Sequence, residues 1–436
     1  MPVRATTSPP AAGLTTPGAR VAELATRLGI GTSPYPASLG LSALTAAAAP
    51  AYVVRWHVGP YPTTLLEAMI GLTVLAFALE SARAGIRLAW RTPYTYAAAL
   101  FVGAGLVAVL VSPDRRAALG LYRAYLLEPI AFFYVAGEIL RTAGAARLVL
   151  GGLGLGALVA GLANSAVVLA AWQAHRLNLA VAAPVAIYNT ANAVALYLVP
   201  LVAVGSAVAL HAVDRRLRVV GALFTAAAGL STLLSFSRGG YAALVAVAVG
   251  LALSHRRRWY LLGAEAVVAV VLVKVPPIAS RLGHQLSATD PNNSLVSRVK
   301  LWEATLHMLR DHPLLGTGLS GFARSIGPYR GGVYSETLIY PHNILLNSWT
   351  ETGLLGVVAF GWLLVQGFRT TLRGWRECLG EWRPLQLGLL LALVAIVVHG
   401  MVDVPYWKND LSFELWALLG VGWAGLRWGR APGTAA

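Results

Sequence analysis

Charged residues and cysteine are scarce in this sequence. Only 12% of its 436 residues are charged, whereas 57% are hydrophobic, and the mean hydropathy is +0.65. Soluble domains carry about 25% charged residues, so this composition lies far outside their range. The single cysteine, Cys378, excludes an intrachain disulfide and a thiolate metal cluster. The scarcity of charge predicts a polytopic membrane protein.

Acidic residues are the scarcer charge, with 18 against 34 basic residues and a net charge of +16. Arginine clusters in alternate connections between the apolar runs, including residues 83–91, 215–218 and 256–258. Connections on the cytoplasmic side of a membrane protein are enriched in Lys and Arg. We therefore attribute the positive charge to topology and contact with the bilayer, predict both termini in the cytoplasm, and expect no nucleic acid partner.

Long apolar runs recur along nearly the whole chain. About 20 apolar residues are needed to cross the hydrocarbon core of a bilayer as a helix. The sequence predicts an all-α protein with about twelve transmembrane helices, at residues 37–54, 63–82, 93–111, 119–140, 148–171, 185–210, 218–235, 240–254, 259–275, 343–367, 386–401 and 411–426.

The predicted helices divide the chain unevenly. Residues 1–36 lack the apolar core of a cleavable signal and are predicted to form a disordered cytoplasmic tail. Nine transmembrane helices occupy 37–275, three more occupy 343–426, and 427–436 is a short cytoplasmic tail. An extracytoplasmic loop at 276–341 separates the ninth helix from the tenth, and a loop of that length is commonly functional or disordered.

Part of this loop has the pattern of an amphipathic helix. Ser294 is a candidate cap, Pro313 would end the helix, and apolar residues recur between them at steps of three and four. These apolar residues include Leu295, Val299, Trp302, Leu306 and Leu309. The glycine-rich segment that follows, LLGTGLSGF at 314–322, lacks the lysine and spacing of a phosphate-binding loop and is interpreted as a connection.

SRGG, at residues 237–240, places an arginine at a predicted helix start on the outer face. Unpaired N–H groups, the helix dipole and the guanidinium of Arg238 together favour an anion, phosphate above all. Ser237 and Gly239 flank the arginine, and glycine permits close approach of a substrate to the backbone. The alternative is an arginine that reaches the interface from a tight hairpin.

YPHNILLNSWTETGLLG, at residues 340–356, places His342 in the predicted first turn of the tenth helix. The field of a helix N-terminus disfavours protonated imidazole, so His342 is a candidate general base. Asn343 is expected to orient the ring or to hold a sugar hydroxyl. The alternative is an interfacial histidine that a neighbour satisfies.

Two further pairs are weaker candidates for chemistry. His399 and Asp403 have the spacing of one helix face, and Arg123 and Glu128 are expected to pair or to line the cavity. Structural pairing is the alternative for both. The outer carboxylates have no paired-acid or metal-ligand spacing, so we predict no bound metal and no cofactor.

Three of these segments together resemble the superfamily of O-antigen ligases and O-antigen polymerases. SRGG resembles its arginine-containing hairpin, and SRVKLWEAT, at 297–305, resembles a loop helix with a second arginine, Arg298, and the tryptophan Trp302. His342 and Asn343, followed after nine residues by Gly353 and Gly356, fit the ligase pattern.

The resemblance implies a membrane glycosyltransferase of the C-type architecture, in the cytoplasmic membrane of a bacterium, with its active site on the extracytoplasmic side. The implied donor is a glycan on undecaprenyl diphosphate, and the implied acceptor is a hydroxyl of a glycolipid or glycan. Arg238 and Arg298 would bind the diphosphate, and His342 would be the catalytic base of an inverting, metal-independent transfer.

Two alternatives stay open at this stage. A polymerase of O-antigen or exopolysaccharide would share all three motifs with a ligase. A transporter of lipid-linked glycans or anionic solutes would instead place charged residues or broken helices near the middle of the bilayer.

Overall fold

The protein is a bundle of apolar α-helices with a small β-hairpin near its N-terminal end. The computed structural model describes residues 33–59, 61–179, 183–283, 293–331 and 339–430. Nearly all of the predicted N-terminal tail and the last six residues of the C-terminal tail lie outside the described residues. The prediction of an all-α polytopic membrane protein is confirmed at this level.

The first half of the bundle begins with α1 and a 3-10 turn at Ala49–Val53 and leads into an antiparallel hairpin of β1 and β2. The elements of this half are α1 (Pro36–Ala47), β1 (Arg55–Val58), β2 (Tyr61–Thr64), α2 (Leu65–Ala84), α3 (Thr95–Val111), α4 (Arg115–Tyr122), α5 (Glu128–Ile139) and α6 (Ala143–Gln173).

The second half contains the long central helices and the helices of the large loop. They are α7 (Ala191–His211), α8 (Arg215–Leu234), α9 (Arg238–Ser254), α10 (Arg258–Val273), α11 (Pro276–Gly283), α12 (Ser294–Asp311), α13 (Phe322–Ser325), α14 (Ile344–Glu377), α15 (Trp382–Gly400) and α16 (Asn409–Trp428).

Six of the described helices are long and apolar enough to cross a membrane, namely α2, α6, α7, α8, α14 and α15, and α3 and α9 are shorter apolar helices. The total of twelve spans stays a prediction. Among the six, α7 and α15 are mostly buried inside the protein, whereas α8 exposes most of its apolar surface. The core is thus built around α7 and α15, which pack against each other.

Two of the predicted spans are interrupted in the structure. The predicted span 37–54 ends as a helix at Ala47, because Pro50 follows in the 3-10 turn and the exposed β1–β2 hairpin comes next. The predicted span 119–140 is divided between α4 and α5 by a π-helical turn at Arg123–Leu127.

The amphipathic helix of the large loop is present as α12, but its cap differs from the prediction. The side chain of Asn293 accepts hydrogen bonds from the N–H groups of Leu295 (3.0 Å) and Val296 (3.2 Å), so Asn293 is the N-cap. Ser294 is the first helical residue, and its hydroxyl instead accepts a bond from Arg298 (3.2 Å). The asparagine, one residue earlier, fixes where α12 begins.

The glycine-rich segment after α12 fills a break in α14. Gly353 has φ 68° and ψ −176°, which interrupts the helical backbone. The N–H of Leu354 donates to the carbonyl of Leu314 (2.9 Å), and the N–H of Thr317 donates to the carbonyl of Thr350 (2.7 Å). Backbone groups released by the break are therefore satisfied by the loop.

Gly353→Ala tests this junction. A Cβ at Gly353 would collide with the Leu314 carbonyl oxygen, and its combination of positive φ and extended ψ, which is essentially restricted to glycine, itself costs another residue about 1–3 kcal/mol. We expect a drop of several degrees in the apparent Tm of the detergent-purified protein. Gly361→Ala in the same helix is the matched control, because a Cβ there meets nothing within 4 Å. An equal effect of the two substitutions would contradict the proposed role of the break.

Candidate functional site

A buried carboxylate, Asp403, lies at the centre of the candidate site. It follows the end of α15, and 2% of its side chain is exposed. Oδ1 accepts a hydrogen bond from the backbone N–H of Val404 (2.9 Å) and lies 3.4 Å from Nδ1 of His342. Oδ2 accepts from Nδ2 of Asn192 (2.8 Å) and lies 3.9 Å from Nη2 of Arg298. Four segments distant in sequence thus meet at one carboxylate.

Hydrogen bonding and a nearby guanidinium keep this carboxylate ionised. Burial alone would raise the pKa of Asp403, but the contact with His342 and the positive charge of Arg298 hold that pKa well below its usual range. A charge buried this deeply is tolerated only when it is paired and hydrogen-bonded. Asp403 is therefore an anion at neutral pH that can orient the groups around it.

His342 presents its ring to Asp403 from an unusual backbone conformation. Its φ is 51°, in the left-handed region that residues other than glycine seldom adopt. The side chain is 26% exposed, so one edge of the ring faces Asp403 while the ring still reaches solvent. Because Nδ1 faces the carboxylate, a neutral ring that donates from Nδ1 has Nε2 as its acceptor.

Three neighbours hold His342, two through the adjacent backbone and one through its ring. Trp302 donates from Nε1 to the carbonyl of Pro341 (3.0 Å), which ties α12 to the residue before the histidine. The ring of Tyr340 packs edge-on against the imidazole, with centroids 4.6 Å apart. Asn343 caps α14 by accepting from the N–H groups of Leu345 and Leu346, and its Nδ2 donates to the carbonyl of Met401 (3.1 Å).

These contacts differ from the sequence expectation for this segment. His342 was expected in the first helical turn, but α14 starts at Ile344 and Asn343 is its cap, so the histidine lies outside the helix. Both polar ends of Asn343 are engaged in the cap and with Met401. The Asp403 contact, rather than a place in the first turn, orients the imidazole.

Arg298 reaches the same carboxylate from α12. Its side chain is 15% exposed, its Nη1 donates to Ser294, and its Nη2 faces Asp403. A guanidinium carries five N–H donors, so these two contacts leave donors for a further anion. The structure therefore joins Arg298, His342 and Asp403, which the sequence placed only on the same side of the membrane.

Arg238 begins α9 at the same end of the bundle. Ser237 caps this helix, with its Oγ accepting from the N–H of Gly240 (3.2 Å). Gly239 packs against the end of α15, because a Cβ there would lie 2.5 Å from Cδ2 and 2.7 Å from Nε2 of His399. Close packing thus explains this glycine and places the α9 N-terminus against the end of α15, beside His399 and Val402.

The two weaker pairs have different arrangements. Arg123 pairs with Glu128 (Nε to Oε1, 3.0 Å) and with Glu67, and it donates to the carbonyl of Pro62 (3.1 Å). It therefore ties the hairpin to α2 and α5. His399 and Asp403 form no hydrogen bond in the described structure, because the chain leaves the helix after Gly400 and turns the carboxylate toward His342.

Asn192 is the site residue that sequence reasoning left without a role. It lies in the first turn of α7, where Thr190 is the cap, and its sequence position resembles any polar residue at a helix end. Only the packing of α7 against α15 brings its amide to Asp403. The sequence offered one signal: Asn192 is a polar residue in an apolar helix that is already capped by Thr190, so its amide is not needed as a cap.

The comparison with protein families adds an independent observation. Residues 221–361 match the O-antigen ligase family. The resemblance drawn from the three motifs is therefore confirmed over this segment, which contains Arg238, Arg298 and His342. Asn192 and Asp403 lie outside the matched segment. No curated protein matches the chain.

Gly239→Ala tests the packing that places the α9 N-terminus. The added methyl group would collide with His399, so we expect a lower apparent Tm in detergent. His399→Ala removes the ring that is in the way, and the double substitution is expected to recover part of the loss. Additive losses in the double variant would contradict direct contact between these residues.

Proposed function

We propose that this membrane protein is a glycosyltransferase that transfers a glycan from undecaprenyl diphosphate to an acceptor hydroxyl, as an O-antigen ligase does. The observation that carries the proposal is the meeting of His342 and Arg298 at buried Asp403. Both residues belong to the segment that matches the O-antigen ligase family. We place the reaction at the outer face of the bacterial cytoplasmic membrane, with both termini inside.

The leaving diphosphate is assigned to the arginines. Arg298 faces the site from α12, and Arg238 stands at the N-terminus of α9, whose backbone N–H groups carry partial positive charge. When the bond between the anomeric carbon and the phosphate oxygen breaks, its electron pair leaves with the diphosphate. Preorganised cationic groups stabilise the charge that develops there. The diphosphate headgroup enters at the level of the interface while its lipid tail stays in the bilayer.

The acceptor is activated by His342. Nε2 accepts the proton of the acceptor hydroxyl while the hydroxyl oxygen forms its bond to the anomeric carbon. Asp403 stabilises the imidazolium that results and keeps Nδ1 as the donor. This arrangement follows the logic by which a carboxylate orients a catalytic histidine in other enzymes. In-line attack from the face opposite the diphosphate inverts the anomeric centre.

Asn192 is assigned a positioning role in this scheme. By donating to Oδ2, it satisfies the oxygen of Asp403 that does not face His342. The carboxylate is then held with Oδ1 toward the imidazole. Trp302 is assigned a similar role for the backbone. Its hydrogen bond to the carbonyl of Pro341 fixes the residue that precedes His342, whose backbone has a positive φ.

His342→Gln tests the base directly. The protein would be reconstituted in liposomes with an undecaprenyl-diphosphate oligosaccharide and candidate acceptors, and without nucleotide sugar. We expect transfer to fall by about 10²-fold or more, the usual contribution of a general base. Product analysis separates ligation to a distinct acceptor from polymerisation of the donor glycan, whereas movement of the donor without a new glycosidic bond would indicate a transporter.

The control for this experiment is His307→Gln, an exposed histidine on α12 outside the Asp403 contacts. It is expected to retain transfer and thermal stability. Unimpaired transfer by His342→Gln would eliminate the base assignment. In the same assay, Arg298→Gln is expected to raise the donor KM about tenfold, whereas the exposed Arg310→Gln should leave it unchanged.

A further inference from the structure

A cavity lies at the end of the bundle opposite to Asp403. It has a volume of about 490 Å³ and is lined by His211, His255, Arg256 and Arg383, with an apolar wall that includes Trp375 and Leu387. None of these residues contributes to the candidate catalytic site.

Three helices connect the two ends of the bundle. α7 begins near Asn192 and ends at His211, α9 begins at Arg238 and ends at Ser254, and α15 runs in the reverse direction from Trp382 to Gly400. A helix of 21 residues, such as α7, is about 30 Å long. That length matches the hydrocarbon thickness of a bilayer, so the cavity faces the opposite membrane interface.

The charged groups around this cavity are basic. The rings of His211 and His255 lie 5.8 Å apart, and Nε2 of His211 is 3.4 Å from Oγ of Ser254. Within the described part of the chain, neither Arg256 nor Arg383 forms an ion pair with a carboxylate. Arg256 and Arg383 are both exposed and both line the cavity, so an anion that enters it can reach two guanidinium groups.

The nearby carboxylates are already engaged. Oε1 of Glu381 accepts from the backbone N–H groups of Val213 (3.2 Å) and Asp214 (3.0 Å), and its Oε2 faces Arg147 at 3.9 Å. Oδ1 of Asp214 accepts from the N–H of Arg216 (2.7 Å). These acids organise the start of α8 and do not neutralise the arginines of the cavity.

We propose that this cavity binds a phosphate group at the membrane face opposite to the catalytic site. Guanidinium groups match the oxygens of phosphate with paired donors, and basic pockets between transmembrane helices accept lipid headgroups. The indole of Trp375 and the side chain of Leu387 provide an apolar wall beside the basic groups. A phosphate on a lipid headgroup and a free phosphate share this chemistry.

The test compares two double variants of the full-length protein. Arg256→Gln with Arg383→Gln removes the charges of the cavity. Arg257→Gln with Arg376→Gln removes two neighbouring exposed arginines that do not line it. One arm measures retention of phosphatidylglycerol against phosphatidylcholine by native mass spectrometry. The other measures the Tm during titration with inorganic phosphate against chloride at equal ionic strength.

We expect the cavity variant to bind about tenfold more weakly than the wild type, with the control variant unchanged. Binding in the lipid arm identifies a headgroup, and binding in the phosphate arm identifies a soluble anion. Equal losses in the two double variants, or no saturable binding of either probe by the wild type, would overturn the proposal. If the double variant does not fold, Arg256→Gln against Arg257→Gln serves as the same comparison. Glycan transfer is not a readout, so the outcome is independent of the proposed catalytic function.

Discussion

The burial of one carboxylate, that of Asp403, is the constraint on which the outer end of this bundle depends. A buried anion needs compensating donors and charges, and here they come from Asn192, Arg298, His342 and the backbone of Val404. These donors belong to different parts of the chain. Satisfying Asp403 therefore requires α7, α12, the start of α14 and the end of α15 to be in place together.

The left-handed conformation of His342 depends on the same assembly. A strained backbone persists only where its surroundings determine it, and such residues are concentrated at functional sites. Asn343 caps α14 on one side of the histidine, and the bond between Trp302 and Pro341 holds the other side. Further along α14, the break at Gly353 lets the loop after α12 dock on the helix. The large loop is thereby fixed at two points to α14 and to the segment that leads into it.

Hydropathy predicted the parts of the fold that local sequence determines. Apolar runs of bilayer length predicted the bounds of α7 and α15 to within about six residues. The recurrence of apolar residues at steps of three and four predicted α12. The divided span at Arg123 was not predictable in this way, because its π-helical turn accompanies ion pairs with Glu67 and Glu128. Such pairs follow from how helices pack and not from local pattern.

The sequence named most residues of the candidate site but not the contacts between them. Arg238, Arg298 and His342 were identified from local sequence motifs and from the family resemblance of those motifs. The contacts of Asp403 were missed, because the sequence suggested a partner four residues away, and the structure instead supplies partners from distant segments. Asn192 lies 211 positions from its carboxylate, a separation that no spacing rule in one sequence can resolve.

The most direct test of the account is a double-mutant cycle between Asp403 and His342, read as the rate of glycan transfer. If Asp403 acts largely by orienting His342, Asp403→Asn should reduce the wild-type rate at least about tenfold more than it reduces the residual rate of His342→Gln. An equal proportional loss in both backgrounds would show that the two residues act independently, and it would contradict the account.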